Sequence, residues 1–535
     1  MKKSFYFIFI LFALLLNLSC ALNSSGDSDS RAESDWLCLF YFDADDIPLN
    51  DDIYTNMREL ECALAFMRNE DGSPAVNEQN EEYPSVRFIV LWDGYKDTAD
   101  GKVTRLHPDG AVFELGADYE LKKQYKETER LEPKPEGFCI SKNTKDLTST
   151  LGWLEKEPDM ASETTLTKFL SWANRTYKAK NTILVLSDHG AGVWKETYRD
   201  DLSSSRSLCC DESNVLGSKR YGADLTCKNV TNALTDSGYT GSSKINLLCF
   251  DVCLESSCEI VNCLSGYADY FVASPANAYS HDYTYLFKYM NSAYKPIDLG
   301  RNFVCEYCRS WGGEPVDCPK TDSEAHWASG CSMYTQTLFS LSPSKVKALK
   351  NAVDALADGL MHMSEADNQA IFTNYLYQNK VDYNACKGIA YQGTYVFLND
   401  LGFFVKNILE NTANINMSNY EELTDAATNL QELLAHGEDK LIVYAYAGRK
   451  AGKVNSNHTW GDVTAGQWYL SYGTDFISGE TVNVENLNPY FGITIATQNV
   501  DDDYNVVDYY DNFTGFSEKW ENVIRYWKSV LNNTN

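Results

Sequence analysis

The stretch NTILVLSDHGAG, Asn181 to Gly192, sets the apolar run Ile183 to Leu186 just before an acid, a histidine and two glycines. An apolar run of that length, bounded by turn residues, reads as a strand buried on both faces, since a half-exposed strand would alternate. KINLLCFDVC, Lys244 to Cys253, repeats the arrangement with an acid and a cysteine at its end. Three further runs share this character: WLCLFYF (Trp36 to Phe42), VRFIVLWD (Val86 to Asp93) and ADYFVASPAN (Ala268 to Asn277). Between the runs, Tyr54 to Met67 and Thr164 to Tyr177 place apolar residues three and four apart, as helices with one buried face do. TCKNVTNALTDSG is a further helix ending at Gly238, which can close it in a left-handed turn. Strand alternating with helix predicts an α/β fold with an open, mostly parallel sheet flanked by helices. Working residues in such sheets gather at the carboxyl ends of strands, where this chain places His189 and Cys253.

The chain has 535 residues, more than one core usually organises. Four regions are expected: an export signal over 1–20, a flexible tether over 21–34, a catalytic domain over 35–340, and a helical and β region over 341–535. In the last, SPSKVKALKNAVDALADGLMHM (Ser342 to Met363) is an amphipathic helix opened by Ser342 and Pro343. Helices are also expected over Thr394 to Asn411 and Tyr420 to Gly437. A β-rich, aromatic tail then runs to FGITIAT (Phe491 to Thr497), and a last helix covers Phe516 to Leu531.

Lys2 and Lys3 precede an apolar run, Phe5 to Leu16, that is short for a membrane span. LNLSC follows, with small Ser19 directly before Cys20, and resembles a bacterial lipoprotein signal in which Cys20 is lipidated. The resemblance implies a protein exported and tethered to the membrane through Cys20; a cleaved secretory signal is the alternative, because Asn17 stands where such signals usually carry leucine. The formal net charge of −29 repels phosphate backbones, so nucleic acid is not expected as a partner, whereas cationic peptides would be attracted.

A thiol attacks carbonyls as the thiolate and needs a base beside it. If the strands ending at Ser187 and Asp251 are neighbours, His189 and Cys253 face one cleft. The backbone N–H groups of Gly190 and Cys253 could then receive a developing oxyanion. SDHGAG followed by LCFDVCLESSCEI resembles the histidine and cysteine motifs of the clostripain family of cysteine peptidases, relatives of caspases, legumains and gingipains. The segment Glu157 to Gly190, the strand Ser265 to Asn277 and the C-terminal strand and helix carry the likeness along most of residues 35–530. It implies a caspase-like fold, an endopeptidase with Cys253 as nucleophile and His189 as base, and protein or peptide substrates with basic residues. Asp251 matches the acid that the family uses at the floor of its specificity pocket, and a partly desolvated carboxylate does select a cationic side chain. Asp282, in SHDYTY, lies where members place a second acid, although the flanking residues depart from theirs.

The resemblance also implies self-cleavage in the polar segment over 195–215, where Lys195, Arg199 and Arg206 are candidates. No cofactor is required; calcium is possible by family resemblance, but the acidic runs DADD (Asp43 to Asp46) and DDDY (Asp501 to Tyr504) lack a ligand spacing and read as solvated faces. Of the 16 cysteines, setting aside Cys20 and Cys253 leaves 14, compatible with seven disulfides. Cys305, Cys308, Cys318 and Cys331 could instead hold zinc, but an exported chain favours disulfides. The rival to an enzyme is a surface lipoprotein that keeps this fold as a binding module without turnover.

Overall fold

The structure, a computed structural model, describes residues 31–534 except 46, 95–109, 129–130, 132–138, 156–157, 191, 193–207, 211–223, 276–277, 279–280, 311–333, 373–388, 391–395, 412, most of 449–491, and 500–515. In chain order its strands are β1 (Ala32–Ala44), β2 (Val86–Gly94), β3 (Gly110–Glu114), β4 (Lys145–Asp146), β5 (Tyr177–Ser187), β6 (Leu208–Cys210), β7 (Asp224–Leu225), β8 (Ile245–Asp251), β9 (Ala268–Ala273) and β10 (Tyr334–Ser340). β11 (Ile389–Ala390), β12 (Val396–Asp400), β13 (Ile442–Gly448) and β14 (Thr494–Asn499) follow. A nine-stranded sheet runs in the order β13-β10-β9-β8-β5-β1-β2-β3-β4. Its five central strands are parallel, and both flanks are extended by antiparallel strands. This is the mostly parallel, helix-flanked sheet read from the apolar runs.

Each central strand divides its side chains between two cores. Leu37, Leu39 and Tyr41 of β1 join one core with Leu184, Leu186, Leu248 and Phe250. Cys38, Phe40 and Phe42 join the other with Ile183, Val185, Leu247 and Cys249. A period of two with both faces buried explains why these strands are apolar throughout. Helices α1 (Ile47–Met67), α2 (Tyr119–Thr128), α3 (Glu163–Thr176), α4 (Cys227–Asp236), α5 (Cys258–Cys263), α6 (Tyr283–Lys288) and α7 (Pro296–Ser310) belong to the first 340 residues. α8 (Pro343–Met361), α9 (Glu365–Ile371), α10 (Leu401–Glu410), α11 (Glu421–Leu433) and α12 (Glu518–Thr534) follow. α1, α6 and α7 cover the face of Phe40; α3, α4, α5 and the later helices cover the face of Tyr41. Side chains cap several of their N-termini. Ser162 Oγ accepts the Thr164 N–H, and Thr226 with Asn229 forms a reciprocal capping box. Gly238 takes φ +85° just past α4.

Three expectations are corrected. Thr394 to Asn411 is not one helix: Val396–Asp400 is a strand paired with β14, and helix begins only at Leu401. Seven disulfides are not present in the structure, because nine of the described cysteines stand outside any disulfide: Cys38, Cys62, Cys139, Cys209, Cys227, Cys249, Cys253, Cys258 and Cys263. Cys38 and Cys249 share a core, but β5 lies between their strands, a separation of about 9.5 Å that no disulfide spans. Cys305 is disulfide-bonded. Asp43 and Asp45 are not a solvated face; each is 1% exposed, at a strand end where Asp43 stands in register with Asp93.

No helix among the described residues is long and apolar enough to cross a membrane. Cys308 falls within α7; Cys20, Lys195, Arg199, Arg206, Cys318, Cys331 and residues 501–504 lie outside the described residues.

Candidate active site

β5 and β8 are adjacent and parallel, with Ser187 directly opposite Asp251. His189 and Cys253 therefore each stand two residues beyond equivalent points on neighbouring strands. Both are half-buried, just past the ends of two buried strands. The two strand-end loops touch. A Cβ placed on Gly190 would lie 2.3 Å from the Cys253 carbonyl oxygen and 2.7 Å from Val252 Cγ2, so only glycine lets the backbones approach this closely. Gly192 adopts φ +72°, and its N–H donates to Glu255 Oε1 at 2.9 Å.

The Cys253 loop is held on three further sides. Leu254, directly after Cys253, takes φ +66°, turning the chain sharply before Ser257 caps α5 by accepting the Ile260 N–H. The Ser256 N–H donates to the Ser274 carbonyl at 3.0 Å. Ser256 Oγ donates to the Gly492 carbonyl at 2.6 Å, and the Ser256 carbonyl accepts the Thr494 N–H at 2.8 Å. Cys253 Sγ accepts the Ala278 N–H at 3.2 Å. A backbone donor on the sulfur supplies part of the solvation that a thiolate needs.

Asp251 does not stand open beneath this loop. Its Oδ1 is 2.8 Å from His281 Nδ1, and its Oδ2 accepts the Tyr283 hydroxyl at 2.8 Å. His281 Nε2 lies 3.2 Å from the Gln336 side-chain amide, so both ring nitrogens meet polar partners. Both side chains are buried, His281 completely. Burial alone would depress the His281 pKa; the charge and hydrogen bond of Asp251, with Glu306 nearby, lift it to about 9 from an ordinary 6.5. A group raised on folding contributes its full stabilisation below its unfolded pKa and loses it as pH climbs through the folded value. The pair should hence add about 3 kcal/mol at neutral pH and lose it toward pH 10. The expected result is a melting temperature that falls between roughly pH 7 and 10, with that slope reduced in His281→Asn. Equal slopes for the two proteins would dismiss the pair as the cause.

Asp282 is also committed. Its Oδ1 accepts the Tyr285 N–H as the cap of α6, and its Oδ2 accepts the Tyr125 hydroxyl at 2.7 Å. The Asp282 N–H donates to Glu306 Oε1, and the Tyr283 N–H donates to Glu59 Oε2. Burial, then the nearby charge of Asp282, raises Glu59 well above the usual carboxylate range. The sequence did not single out His281, Glu255 or Glu59. His281 adjoins the Asp282 of SHDYTY, but only folding brings it to an acid 30 residues away. Among the described residues, no group of three or more His, Cys, Asp or Glu is arranged to hold a metal ion.

A cysteine and a histidine ending neighbouring parallel strands, joined by a glycine contact, form the constellation of a caspase-like cysteine peptidase. The chain belongs to the clostripain family of cysteine peptidases: the family model matches residues 134–527. Clostripain of Hathewaya histolytica is 27% identical over 185 residues, which cover 34% of this chain and 30% of that relative. The match thus spans under a third of the length of the curated relative. A secreted C11 cysteine protease of Bacteroides thetaiotaomicron, solved with an irreversible peptide inhibitor, shares the fold. It aligns at 12% identity with a TM-score of 0.53 over 91% of this chain and 98% of that one. An inactive zymogen C11 protease of Parabacteroides distasonis aligns at 14% identity with a TM-score of 0.49, over 92% and 99%.

Proposed function

We propose that the chain is an exported cysteine endopeptidase that cleaves after Arg or Lys with Cys253 as nucleophile and His189 as base. The observation that carries this reading is the register of Ser187 opposite Asp251 together with the contact of Gly190 on the Cys253 carbonyl. His189 takes the Cys253 proton, and the sulfur adds to the scissile carbonyl carbon. The N–H groups of Gly190 and Cys253 receive the oxyanion. The imidazolium returns its proton to the departing amine, leaving a thioester; water, deprotonated by His189, then releases the carboxylic acid and frees the thiol. Asp251 supplies the negative charge that favours a basic side chain, and Asp282 shapes the segment around it. Lipid attachment at Cys20 would hold the enzyme at the cell envelope; loss of lipid labelling in Cys20→Ser, measured by radiolabelled palmitate, tests that attachment.

Self-cleavage in the segment containing Lys195, Arg199 and Arg206 fits the two described residues that frame it. Gly192 lies against the nucleophile loop, and Leu208 bridges to Gly190. Wild type and Cys253→Ala, expressed side by side, should differ: a new N-terminus after a basic residue between 195 and 206 appears only in wild type. The same fragments from both would sink self-processing. Absence of any turnover of basic peptides by processed wild type would sink the enzyme reading in favour of a binding module.

A further inference from the structure

The floor of the proposed pocket contains an acid that already has a cation. Asp251 meets the imidazole of His281 on one oxygen and the Tyr283 hydroxyl on the other, and its side chain is 2% exposed. The ring of His281 is wedged among Tyr283, Phe303 and Tyr307, at centroid distances of 5.9, 5.3 and 5.3 Å. It cannot swing away without vacating a packed site. Asn56 Nδ2 donates to the His281 carbonyl at 2.8 Å, fixing the backbone as well. The Asp251 and His281 side chains are therefore a fixed, hydrogen-bonded pair, not a bare carboxylate.

We propose that His281 tunes the basic side-chain preference of the enzyme, by holding the Asp251 charge in check so that the margin of a basic over an uncharged side chain at the cleaved position is narrower than a bare carboxylate would give. The proposal rests on the reading of Asp251 as the pocket acid. A unit charge removed some 6 Å from a bound guanidinium changes its interaction by a few kcal/mol at an effective dielectric near 20. His281 acts through Asp251 and is a positioning residue. The elements packed on its ring bring Asp251 from β8, Tyr283 from α6, Tyr307 from α7 and Gln336 from β10. Glu306 of α7 adds a carboxylate that also raises its pKa. Behind them, Glu59 of α1 and Asp282 join through the backbone of the same segment, and Cys249 lies close to Asp251. Burial and Asp251 raise the Tyr283 hydroxyl well above its ordinary value, which leaves it protonated across the test range.

The test uses full-length processed enzyme and two peptides alike except for arginine or citrulline, its uncharged isostere, at the cleaved position. Both kcat/KM values are read on one preparation, so their ratio does not depend on the active fraction. In His281→Asn, which keeps a donor for Asp251 without the charge, the Arg/citrulline ratio should rise about tenfold or more. Wild type should show the same rise between pH 7 and pH 10, and His281→Asn should not. Asp251→Asn should lower the ratio toward one. If Asp251→Asn leaves the ratio unchanged, the pocket reading itself fails and takes this proposal with it. If Asp251→Asn lowers the ratio while the wild-type ratio stays flat with pH, the proposal alone is overturned. An unchanged or lower ratio in a folded His281→Asn has the same consequence, and the wild-type pH series decides should that variant not fold.

Discussion

Cys253→Ala is expected to lower kcat/KM for a basic peptide by about 10⁴-fold or more, with stability held within about 1 kcal/mol. The two thiols nearest it in the same stretch are not placed to substitute. Cys249 lies inside β8 and Cys258 at the head of α5, both fully buried, and burial raises both thiols well above their ordinary pKa. Cys253 differs from them in standing half-buried at a strand end with a backbone N–H on its sulfur. His189→Ala should cost nearly as much, and the double variant little more than either, because proton acceptance and attack are one event. Single-turnover kinetics with an activated ester of the same peptide would show the missing acyl-enzyme burst. Retention of more than about one hundredth of wild-type activity by Cys253→Ala would remove it as nucleophile.

Gly190→Ala should lower kcat/KM by about 10²-fold or more while destabilising the fold by about 1–3 kcal/mol. The added methyl has nowhere to go. The nearest atom is the carbonyl oxygen of Cys253, and Val252 closes the other side. Relief requires the β5 and β8 loops to separate, which moves His189 from Cys253 and shifts the Gly190 N–H from the position proposed for the oxyanion. An ångström of such misplacement is enough to explain the loss. Gly152→Ala is the control, since a Cβ there meets nothing within 4 Å. The two variants should differ in kcat, measured beside thermal melts. Full activity in Gly190→Ala would mean that the contact between the loops has no part in catalysis.

The central sheet could be read from the chain because strands covered on both faces have no polar positions to confuse the pattern. The antiparallel additions were harder for the opposite reason. β10 carries Gln336 and Thr337, both fully buried, which break its apolar run. Each is polar because it has a partner elsewhere: Gln336 meets His281, and Thr337 Oγ1 donates to the Gly492 carbonyl at 2.7 Å. The stretch before Leu401 contains Val396, Phe397 and Leu398, good strand residues whose pairing partner begins at Thr494. A helical spacing that extends into them hides the boundary. The placements of His189 and Cys253 follow from strand ends and so are visible locally. The partners of Asp251 are not, because a carboxylate and an imidazole 30 residues apart have no shared period.

The bonds from Ser256 to Gly492 and Thr494 join residues 236 and 238 positions apart. At usual translation rates, on the order of tens of seconds separate the synthesis of the two partners. The cysteine turn thus emerges long before the strand that braces it, and a nascent chain carries an unfinished blade. The brace on the cysteine turn is complete only once the chain has been made through Thr494.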